Sequence, residues 1–222
     1  MDISVVQSVR RAFEAQVPRK VVRDLYNRVR FGDLAPLSDA AIFVDAETVV
    51  DRYDHDRAGR RFRRQDSGAV IGGDWDQFRS DVEADTKLVS CRMRYEGGAE
   101  WADTPVYQRM LAEIARGHDP DGCATETALQ ARYAELDRIF EETRKRGRLL
   151  RASETPQAYR REHGGIFLHV ARDGTCLRGG GGAHRFAIAK ILRLTAMPAQ
   201  IGVVHPQAVV DGQVARLMAA AA

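Results

Sequence analysis

Lysine is scarce in this chain. It occurs only as Lys20, Lys87, Lys145 and Lys190 among 34 basic residues, so arginine carries nearly all the positive charge. Cysteine is scarce too. Cys91, Cys123 and Cys176 are far apart and odd in number, which excludes a disulfide framework and shows no metal-ligand spacing. No stretch approaches the ~20 apolar residues of a membrane helix, and the start lacks the apolar core of a signal peptide. A reducing, cytoplasmic location with no membrane partner is expected. The net charge of +3 is too small for bulk charge to argue for nucleic acid, so DNA is not the favoured partner. There is no internal repeat, and low complexity is confined to Gly179–Gly182 and Ala219–Ala222. What is present is enough apolar material, 44% of 222 residues, for one large domain or two small ones.

The chain is organised around Gly164–His205. Ile166–Val170 is β-branched and aromatic, Arg172-Asp173-Gly174 is a hairpin turn signal, and Thr175–Arg178 is the return strand. Four glycines follow. Ala183-His184-Arg185 then opens a run with helical spacing through Phe186, Ile188, Ala189, Ile191 and Leu192, and Ala199–Val204 reads as a last strand. Glycines before a helix let the backbone approach a ligand closely. The first helical turn adds unpaired N–H groups and a partial positive charge, so the junction suits an anion. Arg185 offers a bidentate donor fork, and His184 offers a second donor or a proton shuttle. The expected phosphate site is Gly180, Gly181, Gly182, Ala183, His184 and Arg185, with Arg178 just before it.

This segment resembles the ParB/sulfiredoxin superfamily. The similarity lies in Arg172-Asp173-Gly174, Gly181-Gly182-Ala183-His184-Arg185-Phe186-Ala187-Ile188-Ala189-Lys190 and Met197-Pro198-Ala199. It covers about 40 of the 222 residues. The resemblance implies a nucleotide ligand, since the corresponding box binds ATP in sulfiredoxin, CTP in ParB, and ADP or ATP in free-serine kinases. Two departures matter. Ala183 stands where sulfiredoxin has its reactive cysteine, and Cys176 does not replace it. Pro206–Ala222 is too short for the helix-turn-helix domain that follows the box in ParB. The pattern therefore implies neither sulfinate reduction nor a partition protein of the usual layout.

Elsewhere, residues 3–30 read as helical, with Val5, Val6, Val9, Phe13 and Val17 and then, after Pro18, Val21, Val22, Leu25, Tyr26 and Val29 as apolar positions. The arginine-rich side of this segment (Arg10, Arg11, Arg23, Arg28, Arg30) reads as solvated, with contact to a nucleic acid or a membrane as the alternative. Ala41–Val44 reads as a strand. The free-serine kinases place a catalytic carboxylate soon after such a strand; Asp45, Glu47, Asp51, Asp54 and Asp56 lie there. Residues 56–65 form a basic cluster in which Arg61 and Arg64 suit an anion or an anionic acceptor, with Phe62 its one aromatic. Val70-Ile71 reads as a short strand. In Asp74-Trp75-Asp76 the carboxylates either cap the following helix or hold Mg²⁺ or act as a base beside the indole. Residues 77–95 read as helix and then irregular strand. Helices are expected from Asp103-Thr104-Pro105 to Gly117 and over Thr125–Arg146. His169 reads as a satisfied structural histidine.

The expectation is an α+β protein: a small mixed β-sheet of ParB/sulfiredoxin type in one domain over 1–222. The core is residues 163–206, with an amino-terminal helical extension (1–40) and a helical insertion (75–150). The expected function is nucleotide binding, with ATP or CTP and Mg²⁺, and phosphoryl transfer or hydrolysis. His184, Asp74 and Glu47 are the catalytic candidates and Asp74 the metal ligand. The alternative is a non-enzymatic nucleotide-gated regulator or DNA-associated adaptor. A homodimer is compatible with either.

Overall fold

In the computed structural model, residues 16–156 and 158–219 are described. Helix α1 covers Val17–Phe31, and β1 (Ala41–Val44) and β2 (Asp51–Tyr53) follow. Next come β3 (Arg79–Asp81), α2 (Thr86–Tyr95), α3 (Pro105–Ala115) and α4 (Glu126–Arg146). The chain closes with β4 (Ile166–Val170), β5 (Cys176–Arg178), α5 (Ala183–Ile191), β6 (Met197–Val204), α6 (Pro206–Val210) and α7 (Gln213–Ala219). The protein is thus mixed α/β.

The six strands form one mixed sheet in the order β1-β6-β4-β5-β2-β3. Strand β6 is its spine: antiparallel to β1 (Val44 opposite Met197) and parallel to β4 (Ile166 opposite Ala199). The β4–β5 hairpin pairs Val170 with Cys176 near its turn and Leu168 with Arg178 toward the glycines. Because β4 and β6 are central, their apolar runs are buried on both faces. One face carries Ile42, Ile166, Leu168, Ala199 and Ile201 against Leu88, Met110, Tyr133, Phe186 and Ile188 of the helices. The central helical block therefore shares a single apolar core with the sheet.

The long helix α4 forms where its caps predict. Thr125 accepts the Ala128 N–H at 3.2 Å, and Gly147 closes the helix in the left-handed conformation. Residues 77–95 depart from expectation, since strand precedes helix there. Asp85 accepts the Lys87 N–H at 2.8 Å, which delays the helix to Thr86. Val70 makes only an isolated bridge to Val204.

Helix α1 departs more sharply. Its polar side faces the protein and its apolar side faces out, with Lys20 and Asn27 buried and Val22, Leu25, Tyr26 and Val29 exposed. Lys20 is buried against Asp39 at 2.8 Å, and Asn27 donates to the carbonyls of Pro36 and Gly68. These bonds fix the rotation of the helix against its hydrophobic period. The expected helix over residues 3–15 lies outside the described residues, as do Ala220–Ala222.

Candidate functional site

At the end of β5 the chain must reverse into α5 within four glycines. Gly182 is the N-cap residue of α5 and adopts φ +67°. A Cβ there would lie 2.7 Å from the Cα of Ile166, so only glycine lets the box pass so close to β4. No side chain caps the helix, leaving its first N–H groups without a side-chain acceptor.

A cleft of about 1040 Å³ opens in front of this turn. Gly180–Arg185 line it together with Arg178 and Arg61. The opposite wall comes from the central block: Asp85 and Lys87 at the start of α2, Arg109 on α3, Asp121 between α3 and α4, and Arg132 and Tyr133 on α4. Seven basic residues (Arg52, Arg61, Lys87, Arg109, Arg132, Arg178, Arg185) face three acidic ones (Asp85, Asp121, Glu135), so the cleft favours an anion.

His184 is buried at 8% exposure, edge-on to Tyr133 with centroids 5.6 Å apart. Its Nε2 is buried and has no hydrogen-bond partner. Burial, reinforced by the charges of Lys87 and Arg132, lowers its pKa to about 3, so the imidazole is neutral at pH 7. A buried polar atom without a partner is costly. His184 lines the basic cleft beside the uncapped helix start, but water does not reach Nε2 in this conformation, so a ligand oxygen meets it only when the ring turns toward the cleft.

The remaining cleft charges are partly spoken for. Arg178, 7% exposed, pairs with Asp85, and its Nε is unpartnered. Burial lowers the Arg178 pKa, against the opposing charge of Asp85. Lys87 meets Asp121 at 2.7 Å, and Arg132 reaches the same carboxylate at 3.4 Å. Burial alone would raise the Asp121 pKa, but the Lys87 hydrogen bond and charge outweigh it and leave it lowered. Arg61 has no ion-pair partner among the described residues.

The structure distributes the other expected site residues differently. Arg185 lines the cleft, but its guanidinium donates to the Leu150 carbonyl. Burial lowers its pKa against the attraction of Glu162 and Glu154. Its truncation would therefore disturb the fold as well as a ligand. Arg64 lies behind the box. It is held by the Gln200 side chain and by the carbonyls of Gly164 and Gly165 at 3.1 and 2.8 Å, and it passes beneath Gly181. It holds the Gly164-Gly165 turn and is not among the residues that line the cleft. Glu47 is exposed on the 3₁₀ turn after β1, where its N–H is held by Asp45 at 2.9 Å, and it does not line the cleft.

Asp74 is also elsewhere. It is 78% exposed and pairs with Arg172 at 2.8 Å, in the turn of the β4–β5 hairpin. The glycine box leaves the opposite end of that hairpin, and a five-residue strand such as β4 spans about 17 Å. Its neighbour Asp76 is fully buried. It accepts the Arg172 backbone N–H at 2.9 Å and the guanidinium at 2.8 Å. Burial opposes ionisation, but these bonds hold its pKa at about 2. The Asp-Trp-Asp stretch therefore braces the hairpin turn. Asp76→Asn is expected to cost about 2 kcal/mol in urea unfolding, less than a fully buried pair because Arg172 is partly in water. Asp74→Asn should change stability by less than about 0.5 kcal/mol. Equal costs would show that the brace is misassigned.

Sequence reasoning missed the whole opposite wall. One local signal was available: Lys87 sits in the first turn of α2, where the helix dipole disfavours a cation. That position is explained by Asp121. Among the described residues no cluster of three or more His, Cys, Asp or Glu side chains can hold a metal ion. No described helix is long and apolar enough to cross a membrane. The chain matches no protein-family model, no curated protein and no solved structure.

Proposed function

We propose that this cleft binds the phosphates of a nucleotide, ATP or CTP, and that the chain is a divergent relative of the ParB/sulfiredoxin superfamily. The observation that carries the reading is the buried, unpartnered Nε2 of His184 beside the uncapped start of α5, in a cleft with a surplus of arginine. In this reading the α5 N–H groups take the phosphate oxygens, joined by the neutral His184 donating from Nε2–H once its ring turns into the cleft. Arg178, Arg61 and Lys87 balance their charge. The volume accommodates a nucleotide with room left beside Arg109 and Arg132 for an anionic acceptor.

Mg²⁺ normally accompanies nucleotide phosphates and takes one or two carboxylates from the protein. Asp85, Asp121 and Glu135 are the carboxylates that line this cleft; Asp74 and Glu47 do not. Asp85 or Asp121 would be the residue to hold Mg²⁺, whose chemistry there would be to offset phosphate charge. The residues of this chain then do what phosphoryl transfer or hydrolysis asks of a protein: they hold the phosphates in place and present fixed positive charge.

A second reading is a nucleotide-gated regulator or DNA-associated adaptor without turnover. It is favoured by one observation: all three cleft carboxylates are already engaged, Asp85 by Arg178, Asp121 by Lys87 and Glu135 by Arg138.

A thermal-shift panel of ATP, ADP, CTP, GTP and inorganic phosphate, each with and without Mg²⁺, tests the proposal. A ligand at a hundredfold excess over Kd should stabilise the fold by about 2.7 kcal/mol. A flat panel would remove the nucleotide assignment. Product release in a turnover assay with the nucleotide that binds separates the two readings.

A further inference from the structure

Helix α1 is mounted inside out. Four polar side chains fasten it: Lys20 to Asp39 at 2.8 Å, and Arg23 to the carbonyls of Gln65 and Ser67 at 2.8 and 2.7 Å. Asn27 donates to Gly68 at 2.8 Å, and Asp24 accepts from the Ser38 N–H at 2.7 Å and hydroxyl at 2.6 Å. The outward side is apolar. Val22 is 67% exposed, Leu25 64%, Tyr26 60% and Val29 89%, and Val21 extends the stripe. At 100° per residue these side chains share one face. Exposed Arg19 and Arg30 fall along one edge of it and exposed Arg28 along the other. A soluble domain normally turns such a stripe inward. Here at least four polar anchors hold it outward, which marks it as an interaction surface.

We propose that this face of α1 lies on an anionic phospholipid surface, with the apolar stripe in the headgroup–acyl boundary and the arginines on lipid phosphates. Charge and size select this occupant. In a two-fold pairing of two copies, an antiparallel arrangement sets Arg19 against Arg30 of the second helix. A parallel arrangement sets Arg28 against the Arg19–Arg30 edge. Either way basic edges meet. The stripe from Val21 to Val29 is about 12 Å long on a helix about 10 Å across, on the order of 120 Å², well short of the ~800 Å² per partner of a stable protein interface. A bilayer demands no matching shape. A projecting ridge with arginine on both edges has the build of an interfacial helix, and basic residues draw it to anionic lipid. The contact is peripheral and needs no membrane-crossing helix.

Co-sedimentation of the full chain with vesicles tests this, using phosphatidylcholine alone and phosphatidylcholine mixed with phosphatidylglycerol. Binding is expected to the mixed vesicles and to weaken with salt. Arg19→Gln, Arg28→Gln and Arg30→Gln should each lower partitioning about fivefold. Val22→Asp with Val29→Asp should abolish it; both positions are exposed, so circular dichroism and the melting temperature should not change. Absence of binding to the mixed vesicles overturns the proposal. So does binding that survives Val22→Asp/Val29→Asp. Light scattering on the chain without lipid gives the third outcome: a dimer that the double variant dissociates would seat a second copy on this face instead.

Discussion

Replacing His184 by leucine should lower affinity for the bound nucleotide by ten- to a hundredfold and at the same time make the protein more stable. The two effects have one cause. Nε2 is buried and has no hydrogen-bond partner, so the folded chain alone carries the full cost of desolvating it. An apolar side chain of similar size removes that cost, about 1–3 kcal/mol, and keeps the packing against Tyr133. For a chain of this length each kcal/mol gained raises the melting temperature by about 2–4 °C. The loss in binding follows if the His184 ring turns Nε2 into the cleft when the ligand arrives, where a hydrogen bond to a charged phosphate oxygen is worth about 1.5–3 kcal/mol. A residue kept only for structure would show the opposite pattern, with stability falling and ligand affinity following it. Calorimetric titration of wild type and His184→Leu with the nucleotide identified by the panel, alongside their melting curves, separates the cases. Unchanged affinity would refute the role of His184. Lowered stability would show that Nε2 has a partner after all.

Arg185 is a poorer probe, although the box motif makes it the natural choice. Its hydrogen bond to the Leu150 carbonyl and its proximity to Glu162 tie it to the segment that leads into β4. A truncation there mixes folding with binding. Arg178 is similarly coupled, through Asp85, to the start of α2. Among the arginines lining the cleft, Arg61 offers a charge that can be removed with little structural cost.

The parts of this protein legible in its sequence are those whose signals are local. The β4–β5 hairpin announces itself by a β-branched run before Asp173-Gly174, and α4 by Thr125 at one end and Gly147 at the other. The glycine box is legible because Gly182 must be glycine, for its positive φ and for its approach to Ile166. Strands β2 and β3 are not legible. They are three residues long and charged, Asp51-Arg52-Tyr53 and Arg79-Ser80-Asp81, and Arg52–Arg178 is the pair that joins them to the rest of the sheet. Helix α1 is legible as a helix, but its orientation is not, because that depends on Asp39 and Ser38 beyond its end and on Gly68 and the Gln65–Ser67 carbonyls more than 40 positions from its start. The cleft is half legible for the same reason. Its glycine wall is one continuous motif, whereas Asp85, Lys87, Asp121 and Arg132 are brought together only by the packing of α2, α3 and α4 on the sheet. Asp74 and Glu47 stand in sequence contexts that suit a catalytic carboxylate, yet sheet topology sends Asp74 to the far end of the hairpin, and Glu47 points to solvent.

Acid should unfold this protein steeply, and histidines should begin the process before carboxylates do. His169 is fully buried in β4, ringed by Tyr53, Phe62, Trp75 and Phe167 with centroids 5.0 to 6.0 Å away. Its Nδ1 accepts the Val203 N–H at 3.0 Å, which fixes the neutral tautomer with the proton on Nε2; that Nε2–H is buried without a partner, so the expected satisfied histidine is only half satisfied. Burial lowers its pKa from 6.5 to about 3, the same depression as at His184. The unfolded chain protonates both near pH 6.5 while the folded chain leaves both neutral, so the unfolded state binds two more protons between those limits. Stability therefore falls as pH falls, by about 1.4 kcal/mol per pH unit for each histidine and about 2.7 for the pair. Asp76 acts in the same direction but lower, its contribution being lost between pH 3.8 and about 2. Glu162 opposes them, because burial raises its pKa and the folded state takes up that proton first. Between pH 6 and 5 the histidines dominate. Urea unfolding at half-unit intervals across that range should show a slope of one to two protons, and His184→Leu should remove about one of them. A slope that His184→Leu leaves unchanged would mean that His184 is not held neutral in the fold, and would withdraw the neutral donor assigned to it in the cleft.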